Sequence, residues 1–284
     1  MTTLAPQRAD LGSGRVTQLT VIRSEWIKLR SLRSTWYSLL ATVVIIVGLG
    51  TLFSALRAHR FTQDSQPGSI RGPGPGVLVR DFFDPTLVSL RGVFLAQLAI
   101  GVLGVLVITG EYSTGMIRSS MAAVPHRAPV LIAKALVFAV TALIVTTVSA
   151  FAGFLLGQQA MTSTHLQASL STPHAVRAIV GAGLYLTLVG LLAVGLGFLL
   201  RSTAGAIATL FGIVLVLPLL ANALPSPYST DVAKYLPLNA GTQILSTANP
   251  DPNMLGPWAG LAITALYALA ALVAGVITLK RRDT

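Results

Sequence analysis

The chain has 284 residues, of which 53% are hydrophobic and 10% are charged, and its formal net charge is +11. A soluble protein of this length needs a far more polar surface, so the composition excludes a soluble enzyme and indicates an integral membrane protein. The basic residues lie at the ends of apolar stretches and form no solvated basic domain, so no nucleic-acid partner is expected. The absence of cysteine excludes disulfides and thiolate metal sites.

Residues 1–35 are predicted to be a disordered polar tail followed, from about Val16, by an amphipathic helix. Its apolar side chains recur at spacings of three and four, at Leu19, Ile22, Trp26 and Leu29. Its basic side chains occupy another sector, at Arg23, Arg30 and Arg33. A basic amphipathic helix that carries a tryptophan lies in the plane of the lipid headgroups. We therefore expect an interfacial elbow helix; the alternative is a cytosolic helix that extends the first span.

Six apolar stretches follow, at about 36–56, 88–109, 130–156, 178–200, 204–224 and 258–279. A hydrocarbon core of about 30 Å needs about 20 helical residues, and every stretch meets that length. The sequence therefore predicts an all-α, polytopic membrane protein with six transmembrane helices, in which residues 36–284 form one transmembrane domain.

The positions of the basic residues predict the orientation. If the N-terminus is cytoplasmic, 13 of the 20 Lys and Arg residues face the cytoplasm and 7 face the outside. Both ends of the chain and the short 110–129 connection are basic, which is the pattern of cytoplasmic segments. We therefore predict that both termini are cytoplasmic and that the protein lies in the cell membrane.

The connection between the first two stretches, residues 57–87, is rich in proline and glycine and is predicted to be irregular. Asp81, Asp84 and Arg91 border the second stretch. These side chains could bind a polar ligand at the outer mouth, although interfacial charges usually mark where water begins.

The connection 110–129 is short and sharply punctuated. Glu111 lies at the end of the second stretch, where we expect its carboxylate to reach water, and Gly115 permits a turn. Pro125 and Pro129 bracket a break after a short helix. Lys134 lies about one turn into the third stretch and is expected to snorkel back to the interface. Such a helix, held parallel to the membrane, is a surface on which a soluble partner can dock.

Small residues recur in the fourth and fifth stretches, which a three-residue turn joins at 201–203. They are Gly183, Gly190 and Gly197 in the fourth, and Ala204, Ala208 and Gly212 in the fifth. Small residues on one face let helices approach closely, either within the bundle or between protomers. The following segment, 225–257, contains several prolines and apolar runs too short to span, which favours short interfacial or re-entrant helices.

Several motifs resemble those of ABC-2-type permeases, the membrane subunits of type V ATP-binding-cassette transporters. The run Gly110-Glu-Tyr-Ser-Thr-Gly-Met-Ile-Arg118, followed by Val124-Pro-His-Arg127 and Ala133-Lys134, looks like the cytoplasmic loop of that family. The run Glu25-Trp26-Ile-Lys28-Leu-Arg30 is similar to its elbow helix. Leu200-Arg201-Ser-Thr-Ala-Gly205 and Tyr235-Leu-Pro237 also resemble family segments, and the resemblance covers nearly the whole chain.

The resemblance implies that separate subunits carry out transport and ATP hydrolysis. The permease would pair with a second copy of itself and with two copies of a separate nucleotide-binding ATPase subunit, which would hold ATP and Mg²⁺. The 110–129 loop would be the coupling helix, and spans one and five would line the substrate route at the dimer interface. The residues carried over are those of the elbow (Trp26, Lys28, Arg30) and of the loop (Glu111, Tyr112, Thr114, Gly115, Arg118, Pro125 and Arg127).

Two features of the sequence itself favour a permease that is driven by a separate ATPase subunit. It contains no Gly-x-x-x-x-Gly-Lys-Ser/Thr phosphate loop, so energy must come from another polypeptide or from an ion gradient. An ion-driven carrier is expected to keep acidic residues deep in its spans, and none occurs there. We expect no bound cofactor, no metal and no enzymatic activity in this chain. We therefore expect a permease subunit that exports a hydrophobic or amphipathic compound. The alternative is a non-transport membrane anchor or sensor subunit of a multi-protein complex.

Overall fold

The computed structural model describes residues 18–64, 84–113, 115, 127–162, 167–225, 228–247 and 253–281. These residues form helices and turns, with no strand among them. The α-helices, numbered here in chain order, are α1 Gln18–Ser31, α2 Arg33–Asp64, α3 Pro85–Ser89, α4 Gly92–Ser113, α5 Arg127–Ala160, α6 Ala175–Leu200, α7 Thr203–Phe211, α8 Leu217–Asn222, α9 Tyr228–Ala233, α10 Pro237–Gly241 and α11 Pro257–Arg281. A π-helical turn, Gly212–Val216, joins α7 to α8, and a 3-10 turn, Thr242–Leu245, follows α10.

Within the part of the chain that the structure describes, six helical stretches are long and apolar enough to cross a membrane, which confirms the predicted all-α architecture with six spans. Spans one to six are Arg33–Arg60, Pro85–Ser113, Val130–Ala160, Ala175–Leu200, Thr203–Asn222 and Pro257–Thr278. The helix of span one continues to Asp64, so the start of the 57–87 segment is helical and its predicted irregularity is wrong there. The helix continues because no glycine or proline occurs between Gly50 and Pro67.

Span four is the centre of the bundle and packs against spans two, three and six. In the most apolar part of span four 78% of the residues are buried, compared with 28% in spans one and five. The glycine stripe of span four makes this packing possible. A Cβ atom added at Gly190 would lie 2.6 Å from a ring carbon of Phe138 in span three, and one added at Gly197 would lie 3.1 Å from Ile108 in span two. Gly183 faces Thr147 of span three, so the whole stripe lies inside the bundle.

The predicted turn between spans four and five is confirmed. Arg201 adopts a left-handed conformation with φ of 54° and donates its N–H to the Gly197 carbonyl, which ends α6. Ser202 then caps α7, because its side chain accepts a hydrogen bond from the Gly205 N–H. Span five is interrupted by the π-helical turn, which precedes Pro218. Proline has no N–H to continue the regular helical ladder, and the shifted hydrogen bond from Leu217 to Gly212 accommodates it.

The small residues of span five face outward, unlike those of span four. Ala204 and Ala208 are exposed, and a Cβ atom added at Gly212 would meet no atom within 4 Å. Elsewhere the exposed faces carry large apolar side chains, such as Ile144 on span three and Leu266 on span six. The first half of span five therefore presents a different kind of surface, whereas its second half exposes large apolar side chains such as Leu219 and Leu220.

Short helices fill the segment between spans five and six, as predicted. They are α9, α10 and the 3-10 turn that follows α10, and none is long enough to span. The last two insert between spans four and six, where Ile244 lies against Gly181 and Ala240 lies against Gly260.

Interhelical contacts define the two ends of the bundle. Lys28 of α1 pairs with Glu111 at the end of span two, and Thr203 at the start of span five donates a hydrogen bond of 2.9 Å to Thr109. Gly275, near the end of span six, packs on Phe198 near the end of span four. We call this the α1 end, and the opposite end, where α3 and α9 lie, the far end.

Candidate functional site

Helix α1 packs on the start of span three through one face. That face consists of Val21, Glu25 and Leu29 at a spacing of four, and Val21 contacts Val130 and Ala133. Of the apolar stripe identified in the sequence, Leu29 packs inside the bundle, whereas Leu19 is 77% exposed and Trp26 is 46% exposed. The rotation of the helix is set by Glu25, a charged residue that finds its partners inside the bundle.

Glu25 belongs to a buried cluster of two carboxylates and two ammonium groups, here named the ion cluster: Glu25, Lys28, Glu111 and Lys134. The Lys134 ammonium lies 2.5 Å from Glu25 and 2.7 Å from Glu111. The Lys28 ammonium lies 2.7 Å from Glu25 and 3.5 Å from Glu111. The formal charges sum to zero. The ion cluster joins α1, the end of span two and the start of span three.

Two expectations from the sequence are wrong at this site. Glu111 does not reach water, since it is 7% exposed, and Lys134 does not snorkel, since it is 4% exposed. Each side chain is neutralised by an opposite charge at hydrogen-bond distance, so neither needs water as its partner. Sequence reasoning also missed Glu25 as a site residue. The sequence feature that could have indicated Glu25 is that it is a single carboxylate on an otherwise basic helix, three residues before Lys28.

The electrostatics of the ion cluster keep Lys28 charged. Burial lowers the pKa of its ammonium group, but the hydrogen bond to Glu25 and the attraction of Glu25 and Glu111 outweigh burial and raise the pKa above its usual 10.5. A raised pKa in the folded state means that this contribution to stability is fully present below pH 10.5 and is lost as the pH rises through the folded value. The ion cluster therefore has its full Lys28 charge at neutral pH.

A cavity of about 20 Å³ borders the ion cluster, lined by its four side chains and by Leu29, Leu32, Val107 and Val137. A cavity needs roughly 10–15 Å³ to hold a single water, so this space accommodates a water and not an organic substrate. Among the described residues, no group of three or more His, Asp or Glu residues could hold a metal ion. The ion pairs of the site hold α1, span two and span three together.

The structure also positions the first residues of the predicted coupling loop. The N–H of Gly115 donates to the Tyr112 carbonyl over 3.3 Å, and Gly115 has a φ of 72°, which confirms the predicted glycine turn. The guanidinium of Arg201 lies 5.4 Å from the centre of the Tyr112 ring, which links the loop to the turn between spans four and five. Thr114, Arg118 and Pro125 lie outside the described residues, as does the short helix predicted between Gly115 and Pro125.

The remaining elbow and loop residues lie at the borders of the site. Arg127 begins the helix of span three. Trp26 and Arg30 are exposed on α1, as a contact with headgroups requires, while Lys28 turns into the ion cluster. The carbonyl of Arg30 accepts a hydrogen bond of 2.9 Å from the Trp36 indole, which fixes the angle between α1 and span one.

Hydroxyl groups inside the spans hydrogen-bond to the backbone of their own helices. Thr141 and Thr187 each donate to the carbonyl four residues earlier, at 2.8 Å. These bonds satisfy the hydroxyls within their own helices, so neither side chain has the environment of a nucleophile.

No protein-family model matches the chain, and no curated protein matches it. A functional assignment therefore rests on the geometry of the ion cluster and on the sequence of the 110–129 connection. The described borders of that connection, at Glu111 and Arg127, lie at the same end of the bundle as the ion cluster.

Proposed function

We propose that this protein is the membrane-spanning permease subunit of an ATP-binding-cassette transporter, driven by a separate ATPase subunit. Its cargo would be a hydrophobic or amphipathic compound that is exported, as a mostly apolar bundle suits. The observation that carries the proposal is the ion cluster, because it attaches both borders of the 110–129 connection to each other and to α1.

The ion cluster would transmit the movement of a docked partner to three helices. Glu111 ends span two, Lys134 starts span three and Glu25 lies on α1, so a push on the connection moves all three elements together. Moving one of them alone would separate a buried ion pair, which costs about 3–5 kcal/mol when one charge is left uncompensated. A loop that couples an ATPase to a membrane domain needs such a rigid attachment to the transmembrane helices.

The same proposal sets the orientation and the location. The α1 end would face the cytoplasm, where an ATPase finds ATP and Mg²⁺, and both termini would lie on that side. The basic residues of the N-terminal segment and of the 110–129 connection support this orientation. The protein would lie in the cell membrane.

Charge reversal in the connection tests the proposal. We expect the chain to co-purify with a co-expressed cassette ATPase, and the Arg118→Glu/Arg127→Glu variant to bind at least about tenfold more weakly, because like charges at an interface repel by several kcal/mol. Affinity is measured by pull-down titration of the purified ATPase. The matched control, Lys234→Glu at the far end, should bind normally. An absence of association, or binding that the double reversal leaves unchanged, contradicts the proposal.

We propose that a second copy of the chain covers the outer face of span five. Helices associate in lipid through small residues that allow close backbone contact, and Ala204, Ala208 and Gly212 form such a stripe on an exposed face. The exposed faces of span six and of the second half of span five carry large apolar side chains such as Leu266 and Leu219, which lipid tails accommodate. The small-residue stripe supports a homodimer through the first half of span five.

Cysteine cross-linking tests the homodimer, since the chain has no native cysteine. Single cysteines at positions 204, 208 and 212 should each form a disulfide-linked dimer under mild oxidation, because small-residue stripes bring backbones close enough for sulfur atoms to meet. The readout is the dimer band on a non-reducing gel of native membranes. Leu266→Cys, exposed on span six, is the control and should stay monomeric. Equal cross-linking at position 266 would argue against a specific interface.

A further inference from the structure

Residues 237–247, here named the plug segment, lie between spans four and six at the far end of the bundle. Glycines on both neighbouring spans leave room for it. Ile244 is fully buried, and a Cβ atom added at Gly181 of span four would lie 3.2 Å from the Ile244 Cβ. On the other side, the backbone carbonyl of Ala240 lies against Gly260 of span six. The plug segment therefore fills a groove that two glycines create.

The deep end of the plug segment lies on a buried polar pair. Gly241 contacts the ring of Tyr185, and the Tyr185 hydroxyl donates a hydrogen bond of 2.5 Å to Gln97 of span two. Thr264 of span six donates to the Pro237 carbonyl at 3.3 Å. This end of the plug segment is thus held mainly by van der Waals contact and by one long hydrogen bond.

The end nearest to water is attached differently, through charged groups. Asp84 is 1% exposed and accepts hydrogen bonds from the Thr247 N–H at 2.6 Å and from the Thr247 hydroxyl at 2.7 Å. Arg177 donates to the Ser246 carbonyl at 2.6 Å, and its charge interacts with that of Asp84. Asp84 also caps α3 by accepting from the Leu87 N–H at 3.0 Å. We call the contacts of Asp84 and Arg177 with residues 246 and 247 the latch.

Both kinds of attachment oppose displacement of the plug segment. Movement toward the far side would bring Ile244 into water, so its apolar contacts favour the docked position. The buried Asp84 carboxylate would at the same time lose its two hydrogen-bond donors from Thr247, which also costs free energy. A substitution at Asp84 or Thr247 therefore weakens the latch without altering the packing of Ile244.

We propose that the plug segment is a movable element, that the latch holds it in the docked position, and that opening the latch exposes the space between spans four and six to the far side. From its sequence position alone, Asp84 is a candidate ligand or a marker of the water boundary. The structure gives it a different role, as the anchor of a mobile segment. This proposal does not depend on the ATPase partner.

The absence of native cysteine allows a direct test. In proteoliposomes that expose the far end, Ile244→Cys should react slowly with a membrane-impermeant maleimide because position 244 is buried. Adding Asp84→Asn should raise the labelling rate about 10-fold, which corresponds to about 1.4 kcal/mol of docking free energy. Thr247→Val, which removes one hydroxyl, should raise it about threefold, or about 0.65 kcal/mol.

Two controls make the result decisive. Asp231→Asn alters an exposed carboxylate at the same end, paired with Lys234 at 2.8 Å, and should leave the labelling of Cys at position 244 unchanged. Oxidation of a Gly181→Cys/Ile244→Cys variant should lock the plug segment, because those Cβ positions are 3.2 Å apart, close to the ~3.5–4.5 Å of a disulfide. Labelling in the Asp84→Asn background should then stop and return after reduction.

Three outcomes would overturn the proposal. The first is a monodisperse Asp84→Asn variant that labels at the rate of Ile244→Cys alone. The second is an equal increase in the Asp231→Asn control. If Asp84→Asn does not fold, Thr247→Val decides, and an unchanged rate in that variant is the third.

Discussion

Replacement of Lys134 by methionine should lower the free energy of unfolding by about 3–5 kcal/mol, the cost of leaving a buried charge without its partner. Lys134 is the cation that lies within 2.7 Å of both carboxylates of the ion cluster, and its removal leaves Glu25 and Glu111 with Lys28 alone. Methionine keeps the length and the apolar stem of the side chain, so the loss of charge is the main change. Reversible unfolding in mixed detergent micelles measures the effect.

A double variant separates charge imbalance from a general packing defect. Lys134→Met/Glu111→Gln leaves Glu25 and Lys28, which form a balanced pair at 2.7 Å, and should recover most of the lost stability. Asp231→Asn breaks an exposed pair with Lys234 and should cost no more than about 1 kcal/mol. A Lys134→Met variant as stable as the native chain, or a double variant as unstable as the single one, would show that the ion cluster is not a buried electrostatic unit.

Addition of one methyl group at Gly104 should destabilise the bundle by about 1–3 kcal/mol, the usual cost of overpacking a core. A Cβ atom at Gly104 in span two would lie 2.5 Å from the Gly190 carbonyl oxygen and 3.0 Å from the Ala193 Cβ in span four. A backbone carbonyl cannot rotate away as a side chain can, so the two spans must separate. Thermal unfolding of Gly104→Ala in detergent, followed by size-exclusion chromatography, measures the loss.

The matched control is Gly48→Ala in span one, where an added Cβ atom would meet nothing within 4 Å. That variant should be neutral or more stable by up to about 1 kcal/mol, because alanine is the better helix former. Equal losses at the two positions would mean that the intrinsic properties of glycine, and not the close contact of spans two and four, explain the result.

The length of the apolar stretches, about 20 residues each, was enough to predict the six spans, because span length depends on the thickness of the bilayer and on local hydropathy. Turn chemistry was equally local. Gly115 and the turn after Leu200 adopt the predicted conformations, since each depends on a few neighbouring residues. The short helices between spans five and six follow from prolines and from apolar runs too short to span.

Contacts between distant residues were decided by the tertiary structure alone. Glu25 and Lys134 are 109 residues apart, and no local pattern indicates that a carboxylate on α1 meets an ammonium group on span three. The two small-residue stripes look alike in the sequence, yet that of span four lies inside the bundle and that of span five lies on its surface. Hydropathy and spacing specify that a helix forms and crosses the membrane. They leave its rotation and its neighbours open, because these depend on which charges and glycines the other helices present.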